Sequence, residues 1–331
     1  MCVPTIGQRK TLGEALQSLK AQTYPDYEAL ILDNSTTLEA QQEIGRFAAG
    51  DKRVSVLRSE TRLPMFSNFQ RGLDAARGRY VAFFHDDDVY SAEFLSEQVA
   101  FLDANPSAAF AGANCLLIDA DGRITGERSL IRSTAVWNGW KYINRLFALG
   151  SNLFPMQSIT FRRSALPAGM FESTGGVHFT DFVLLMELAE RHDVGLIARQ
   201  LLQLRVHPGQ ASQQLAIGES LDLRTKVFLA YCDDLAIRWP GRRENIDRLR
   251  RQVATARRST VLWSWANAAD GQAARSSRAA LGTSGFDQAL CGALGVLDRI
   301  GVGRLARTQA VRAGLRRAAQ FTVRWTSPSE A

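Results

Sequence analysis

Short apolar runs alternate with amphipathic segments over the first two-thirds of the chain. Apolar residues recur every three or four positions in the predicted helices, which are 12–19, 38–49, 67–76 and 93–102. Runs of strand length lie between them, at 27–32, 54–57, 80–84 and 108–118. Alternating strands and helices with short connections predict a mostly parallel sheet covered by helices on both faces. We therefore predict an α/β fold for this part of the chain.

The alternation continues and then stops. Further helices are predicted at 137–149 and 182–191, and further strands at 157–162, 194–197 and 201–206. Beyond about Ala211 only helical patterns remain, with a break at Trp239–Arg243 before a helix over 244–258. We therefore predict an α/β domain over residues 1–212 and an all-α region over residues 213–331. The last helical pattern is strongly cationic through Arg304, Arg307, Arg312, Arg316, Arg317 and Arg324.

Two local signals lie near the N-terminus. Thr11 and Glu14 have the spacing of a capping box, in which both side chains satisfy N–H groups at a helix start. Pro4 leaves room for only a short first strand, unless the stated start lies inside the natural one.

The most informative stretch is an apolar run that ends in His85-Asp86-Asp87-Asp88. A buried strand at 80–84 would place these acids just past its carboxyl end, where open α/β sheets bind their ligands. Adjacent carboxylates raise one another's pKa unless a cation shares the site. The run therefore suggests a hard divalent cation, Mg²⁺ or Mn²⁺, shared with substrate phosphates. The alternative is a solvated acidic turn that caps the helix after Ser91.

Composition narrows the function classes. With 331 residues, 46% hydrophobic and 22% charged, the chain is typical of a globular protein with a sizeable core. A net charge of +7 favours anionic partners such as nucleotides, nucleic acid or acidic lipids. Scattered cysteines argue against a zinc site or a disulfide framework and fit a reducing cytoplasm. No signal peptide, membrane-spanning apolar run or nucleic-acid motif is recognisable, so we expect a cytoplasmic protein with no nucleic-acid partner.

The first two-thirds of the chain resembles the inverting nucleotide-sugar glycosyltransferases of the GT-A fold, the large bacterial family-two type. The resemblance covers roughly residues 1–212. Each motif is weak by itself, but their order and spacing together are specific for this family. Besides the acidic run, the matching residues are Pro4-Thr5 with Arg9, 21–28, Asp33-Asn34-Ser35, 76–80, Thr180-Asp181, Arg205 and 207–210.

The resemblance implies a set of donor contacts. Pro4 and Thr5 would face the nucleotide with their backbone groups, with Arg9 nearby. Asp33 would accept a hydrogen bond from the N3–H of uracil or thymine, a charge-assisted bond of the stronger kind; its alternative role is a helix N-cap. Arg62 and Arg77 would contact the diphosphate, unless they are solvated surface residues.

The resemblance also implies a metal and a base. The family's second acid holds the metal, and here that residue is Asp87; His207 would close the metal site, or else act as a structural turn residue. The first acid is replaced by His85, which would bond a ribose hydroxyl or pack, and Asp86 and Asp88 would contribute to the sugar-nucleotide site. Asp181 would be the catalytic base that inversion requires, with a helix N-cap as its alternative role.

We therefore expect a metal-dependent inverting glycosyltransferase. It would move a hexosyl or deoxyhexosyl group from a UDP- or dTDP-sugar to a hydroxyl of an envelope polysaccharide or glycolipid, at the inner face of the plasma membrane. The basic C-terminal region would pack on the catalytic domain or lie on an anionic membrane surface.

The alternative is a non-catalytic GT-A-like subunit that binds a partner glycosyltransferase or the membrane. The short first strand and His85 in place of an acid support that alternative. Nucleotidyl transfer is disfavoured, because no glycine-rich phosphate loop is recognisable near the N-terminus.

Overall fold

A computed structural model of the chain describes residues 1–7, 11–171, 180–207, 217–266, 271–281 and 284–299. The chain divides into two compact units. Unit 1 contains residues 1–143 and 153–208, and unit 2 contains residues 144–152 and 209–331. The domain boundary predicted at residue 212 lies outside the described residues and stays a prediction.

Unit 1 contains strands and helices in alternation. Its described strands are β1 (Cys2–Thr5), β2 (Ala29–Asp33), β3 (Val54–Arg58), β4 (Tyr80–Ala82), β5 (Val89–Tyr90), β6 (Ala108–Ile118), β7 (Ile124–Arg128), β8 (Ala135–Trp137), β9 (Ile159–Arg162) and β10 (Asp193–Arg205). Its described helices are α1 (Leu12–Lys20), α2 (Leu38–Ala48), α3 (Met65–Ala75), α4 (Phe94–Ala104), the first part of α5 (Gly139–Leu149) and α6 (Thr180–Arg191).

The described strands form two hydrogen-bonded sheets, and a β-bridge joins the two sheets. β1, β2 and β3 are parallel neighbours in that order. A parallel bridge joins Cys2 of β1 to Phe83, immediately after β4. The second sheet continues in the order β4-β9-β6-β10-β5, with β9 antiparallel to both its neighbours and β6 parallel to β10. This strand order, with the helices between the strands, confirms the predicted α/β class. The parallel pairing places the carboxyl ends of β1, β2 and β4 along one edge of the sheet.

Apolar burial explains why these elements form. The predicted stripe of α1 is buried at Leu12, Ala15, Leu16 and Leu19, and every residue of β2 is buried. A strand that is buried at each position needs cover on both faces, as in sheets flanked by helices. The sheet therefore has the rigidity to hold polar side chains at its edge.

Several predicted elements differ in detail. The two strands predicted at 194–197 and 201–206 are one strand, β10, whose pairing with β6 shifts register around Gln200. The irregularity interrupts the side-chain alternation, so one strand has the pattern of two. The helix predicted from 137 begins at Gly139, because Trp137 is the last residue of strand β8 and pairs there with Val194 of β10. Short strands β5 and β7 were not predicted.

The predicted capping box is wrong. Thr11 makes no side-chain bond to the helix start; its hydroxyl donates to the carbonyl oxygen of Asp86 at 3.2 Å. Glu14 forms an ion pair with Arg205 instead. Both side chains bond residues far along the chain, which the local spacing could not reveal.

Unit 2 is helical in its described residues, as predicted. Its long helices are α7 (Ile217–Arg238), α8 (Arg243–Ala266), α9 (Gly271–Ala279) and α10 (Gly285–Arg299), and the predicted break contains a 3₁₀ turn at Pro240–Arg242. They pack around a buried cluster that includes Leu221, Val261, Trp265, Leu281 and Leu294. The arginine-rich last pattern lies outside the described residues. Among the described helices, none combines the length and the apolarity that a membrane crossing requires.

Candidate functional site

The end of β1 connects to the acidic run through Thr5. Its hydroxyl donates to Oδ2 of Asp86 at 2.7 Å and accepts from the backbone N–H of Gly7 at 2.9 Å. Gly7 has a φ of +68°, which favours glycine, and the chain turns there tightly against Ser35. Pro4, beside Leu32 in the register of β1 and β2, lies three residues before Gly7. Arg9 lies outside the described residues.

Asp33 lies at the carboxyl end of β2, fully buried beside Thr5 in the strand register. Its Oδ1 accepts from the Ser35 backbone N–H at 2.9 Å, and its Oδ2 pairs with Nε of Arg58 at 2.8 Å. Burial alone would raise the pKa of Asp33, but the bonds from Ser35 and Arg58 outweigh it and the pKa is lowered. Asp33 is therefore an anionic acceptor at the sheet edge.

The alternative role of Asp33 as a helix N-cap is wrong. The N-cap of α2 is Thr37, whose hydroxyl accepts from the backbone N–H of Ala40 at 3.4 Å. Arg58, which no motif identified, is the ion-pair partner. Its position at the end of β3, next to Asp33 in the register, is the signal that could have found it.

Arg62 belongs to a loop that is fastened to the same edge. The side chain of Asn34 forms two hydrogen bonds with the backbone of Leu63, the residue after Arg62. Its Oδ1 accepts from the Leu63 N–H at 2.8 Å, and its Nδ2 donates to the Leu63 carbonyl at 2.9 Å. Arg62 is exposed. A diphosphate contact by Arg62 stays a prediction that its position allows.

Arg77 lies elsewhere, so its predicted diphosphate contact is corrected. Its backbone N–H donates to Oε1 of Glu28 at 2.6 Å, and its Nε donates to Oε2 at 3.0 Å. Glu28 precedes β2 and Arg77 precedes β4, so the pair marks the amino-terminal edge of the parallel strands. The structure does not bring Arg77 to the acidic run.

The acids after β4 are buried. Asp86, Asp87 and Asp88 are 7%, 6% and 0% exposed. A solvated acidic turn would expose them, so that alternative is wrong. Burying charged carboxylates is costly unless hydrogen bonds or a cation compensate.

Asp87 and His207 come together across 120 residues of sequence, with Nε2 of His207 3.1 Å from Oδ2 of Asp87. His207 follows β10 and is mostly buried. An imidazole and a carboxylate at this distance can share a divalent cation or a proton. The two residues predicted to bind metal are therefore neighbours, and metal binding itself stays a prediction.

Asp88 gives an independent sign of a cation. Its Oδ1 accepts from the Arg205 backbone N–H at 2.8 Å, whereas its Oδ2 is buried and has no hydrogen-bond partner among the residues that the structure describes. Burial, and then the charge of Asp87, raises the pKa of Asp88 well above its ordinary value. Ligand atoms of His85, Asp87 and Asp88 all lie within 4.8 Å of one another. Buried oxygen donors of this kind fit Mg²⁺ or Mn²⁺.

Asp181 lies in the first turn of α6 and is half-buried. Burial lowers the pKa of Arg128, and the charge of Asp181 acts against that effect. Burial raises the pKa of Tyr142, and the charge of Asp181 adds to it. Asp181 is thus within electrostatic reach of Arg128, a half-buried arginine at the end of β7. Sequence reasoning missed Arg128 because strand β7 was not predicted. Its role as base stays a prediction.

The fold is that of known GT-A-type glycosyltransferases. S. aureus TarS 1-349 in complex with UDP-GlcNAc matches with a TM-score of 0.58 at 16% identity, covering 99% of this chain and 92% of that one. The mannosyltransferase PcManGT of Pyrobaculum calidifontis, in complex with GDP-Man and Mn²⁺, matches with a TM-score of 0.50 at 16% identity, covering 98% and 86%. The chain belongs to glycosyl transferase family 2, whose sequence profile matches residues 1–166. This confirms the family predicted from the motifs.

Curated relatives share part of the chain. The GalNAc(5)-diNAcBac-PP-undecaprenol beta-1,3-glucosyltransferase of Campylobacter jejuni is 29% identical over 130 residues, which is 38% of this chain and 40% of that protein. The putative teichuronic acid biosynthesis glycosyltransferase TuaG of Bacillus subtilis is 27% identical over 119 residues, which is 36% and 47%. The chain therefore matches less than half the length of either relative.

Proposed function

We propose that this protein is a metal-dependent inverting glycosyltransferase that uses a UDP- or dTDP-sugar. The observation that carries the proposal is the meeting of three strand ends at one edge. There Asp33 is a buried anion, Thr5 bonds Asp86, and Asp87 lies 3.1 Å from His207. Ligands of open α/β sheets bind at such an edge.

The nucleotide would bind across the ends of β1 and β2. Asp33, kept anionic by Arg58, would accept the N3–H of uracil or thymine, and Pro4, Thr5 and Arg9 would line the base and ribose. Arg62, on the loop that Asn34 fastens, would reach the diphosphate. Asp86 and Asp88 would border the donor sugar.

The metal would be Mg²⁺ or Mn²⁺, held by Asp87 and His207, and it would neutralise the departing diphosphate. Asp181 would take the proton of the acceptor hydroxyl as that oxygen attacks the anomeric carbon. Attack from the face opposite the leaving group inverts the configuration. The transferred group would be a hexosyl or deoxyhexosyl residue.

The acceptor would be a hydroxyl of an envelope polysaccharide or a lipid-linked saccharide. The Campylobacter relative is named for a PP-undecaprenol saccharide, and the Bacillus relative is a putative teichuronic acid biosynthesis glycosyltransferase. Both relatives support this class of acceptor. The site would then work at the inner face of the plasma membrane.

Contact with an anionic membrane surface is a further part of the proposal. Helix α10 exposes Phe286 and Val296, at 65% and 51%. The sequence that follows contains Arg304, Arg307 and Arg312. Basic residues near such a surface each contribute about 1 kcal/mol. Sedimentation with phosphatidylglycerol vesicles but not with phosphatidylcholine vesicles would support this contact, and equal sedimentation would contradict it.

A thermal-shift panel of nucleotide sugars, with and without Mn²⁺, tests the function. A ligand that binds only the folded state raises the melting temperature. We expect a UDP- or dTDP-sugar to raise it in a Mn²⁺-dependent way in wild type and in the control Asp234→Asn, an exposed acid of α7, but not in Asp87→Asn. No response across the panel would contradict the proposal. Donor binding without any turnover would favour the non-catalytic subunit, which His85 in place of an acid supports.

A further inference from the structure

His85 occupies the position where the resemblance leads us to expect an acid, and its ring is held on several sides. Its Nδ1 lies 3.3 Å from Nε2 of Gln157, which belongs to the 3₁₀ turn before β9. Its ring packs edge-on against Phe69, with 5.9 Å between centroids. Its backbone N–H donates to the Tyr90 hydroxyl at 3.0 Å. The contacts with Gln157 and Phe69 hold the ring and give its second nitrogen a defined direction.

The His85 ring lies close to other side-chain atoms that can bind a metal ion. One ligand atom each of His85, Asp87 and Asp88 falls within 4.8 Å of the others, and Nε2 of His207 lies 3.1 Å from Oδ2 of Asp87. A second, independent observation points to a cation there. Within the described part of the chain, Oδ2 of Asp88, a residue with 0% exposure, has no hydrogen-bond partner.

We propose that His85 is itself a metal ligand, so that the site holds its cation with two imidazoles, His85 and His207, and two carboxylates, Asp87 and Asp88. The inference rests on the metal dependence of the proposed function and specifies which metal it uses. Carboxylate and water ligands suit Mg²⁺, whereas imidazole is a ligand of transition metals. Mg²⁺ also dehydrates reluctantly and demands near-ideal octahedral geometry. The site therefore selects Mn²⁺ or another divalent transition metal over Mg²⁺.

Gln157 completes the site as a positioning residue. A histidine bound to metal through Nε2 carries a proton on Nδ1 and donates it to an oxygen acceptor. A half-turn of the Gln157 amide presents Oε1 to Nδ1, and the two ends of an amide exchange in this way at little cost in shape. Gln157 then fixes both the tautomer and the orientation of His85.

Pulsed electron paramagnetic resonance of Mn²⁺ bound to the purified full-length protein tests the inference without an activity assay. Nitrogen couplings count the imidazoles on the ion. We expect two nitrogens in wild type and in the control His192→Ala, which changes an exposed histidine after α6, but one in His85→Ala and in His85→Asp. A single nitrogen in wild type overturns the inference and leaves the proposed function standing. No Mn²⁺ binding at all overturns both.

Competition between Mg²⁺ and Mn²⁺, followed by the free Mn²⁺ signal, tests the selectivity. His85→Asp restores an all-oxygen position, so the ratio of the Mg²⁺ Kd to the Mn²⁺ Kd should fall by about tenfold or more. Gln157→Leu should weaken Mn²⁺ binding by about 10–100-fold, the usual effect of losing a residue that orients a ligand. An unchanged ratio in His85→Asp, with two nitrogens retained, overturns the inference.

Discussion

Nε of Arg205 donates to the main-chain carbonyl of Asp87 at 2.8 Å, although 118 residues separate the two. Arg205 is 2% exposed, and its backbone N–H also binds Asp88. Its Nη1 donates to the carbonyl oxygens of Asp119 and Ala120 at 3.0 and 3.2 Å. One buried guanidinium therefore holds the acidic run against the end of β10, from which His207 follows.

We predict that Arg205→Lys weakens Mn²⁺ binding and lowers stability while the chain still folds. An ammonium is a compact point charge that cannot reproduce several directed N–H bonds. Removing one member of a buried charged network costs about 3–5 kcal/mol, and the lysine should cost less than Arg205→Met. Mn²⁺ titration and urea unfolding measure the two effects. Arg79→Lys, at an exposed ion pair with Asp103, is the matched control. Unchanged Mn²⁺ affinity in Arg205→Lys would contradict the positioning role.

Arg77 should matter for stability and not for donor binding. Its side chain is 85% exposed in the pair with Glu28, and surface pairs contribute about 0–1 kcal/mol. We expect Arg77→Ala to leave the UDP affinity unchanged by calorimetry, whereas Arg62→Ala weakens it. Equal losses in the two variants would restore Arg77 to the diphosphate site.

Glu28 gives a pH-dependent prediction. Burial alone would raise its pKa, but bonds from the Arg77 and Gly78 N–H groups and the Arg77 side chain lower it overall. A lowered folded-state pKa stabilises the protein above the unfolded value of about 4.3, and that contribution disappears as pH falls through the folded pKa. Wild type should therefore have a higher melting temperature than Glu28→Gln at pH 7, and the difference should shrink as the pH falls below the unfolded-state value. A difference that grows with acid would contradict this.

Asp33 should control nucleotide affinity. Hydrogen bonds to charged groups contribute about 1.5–3 kcal/mol, so Asp33→Ala should weaken UDP binding by about 10–100-fold. Arg58→Met should weaken it as well, because the buried carboxylate loses its cation. Asp51→Ala, at the ion pair with Arg53, serves as the control. An unchanged UDP affinity in Asp33→Ala would contradict the assignment of Asp33 to the nucleotide-base site.

Asp181 should affect turnover more than binding. General base catalysis contributes about 10²–10⁴-fold, and we expect Asp181→Asn to lower kcat by an amount in this range while the donor Kd stays within about threefold. Single-turnover kinetics with a UDP-sugar separates the two. A loss of donor binding equal to the loss of rate would identify Asp181 as a donor ligand.

Strand endings carried most of what the sequence could predict. Asp33 and Asp87 follow apolar runs, and a parallel sheet brings such ends to one edge, so the site could be located from local pattern alone. The diphosphate contact predicted for Arg77 was wrong because Arg77 precedes its strand. It therefore lies at the amino-terminal edge of the sheet, opposite the acidic run.

Partners across long separations could not be predicted. Thr11 and Glu14 have capping-box spacing, yet their hydroxyl and carboxylate bond Asp86 and Arg205. Arg58 pairs with Asp33 because parallel register sets two strand ends side by side, which spacing along the chain does not specify. Tertiary bonds of this kind override local preference where a site is assembled.

The central claim is Mn²⁺-dependent transfer from a nucleotide sugar, and turnover tests it most directly. Purified wild type with Mn²⁺ should release UDP or dTDP from one donor of a sugar panel, slowly to water and faster with a lipid-linked saccharide acceptor. The release should fall to background in Asp87→Asn and with a chelator, and by about 10²–10⁴-fold in Asp181→Asn. Two results would contradict the account. One is release at the wild-type rate in Asp87→Asn, and the other is no release by wild-type protein from any donor that it binds.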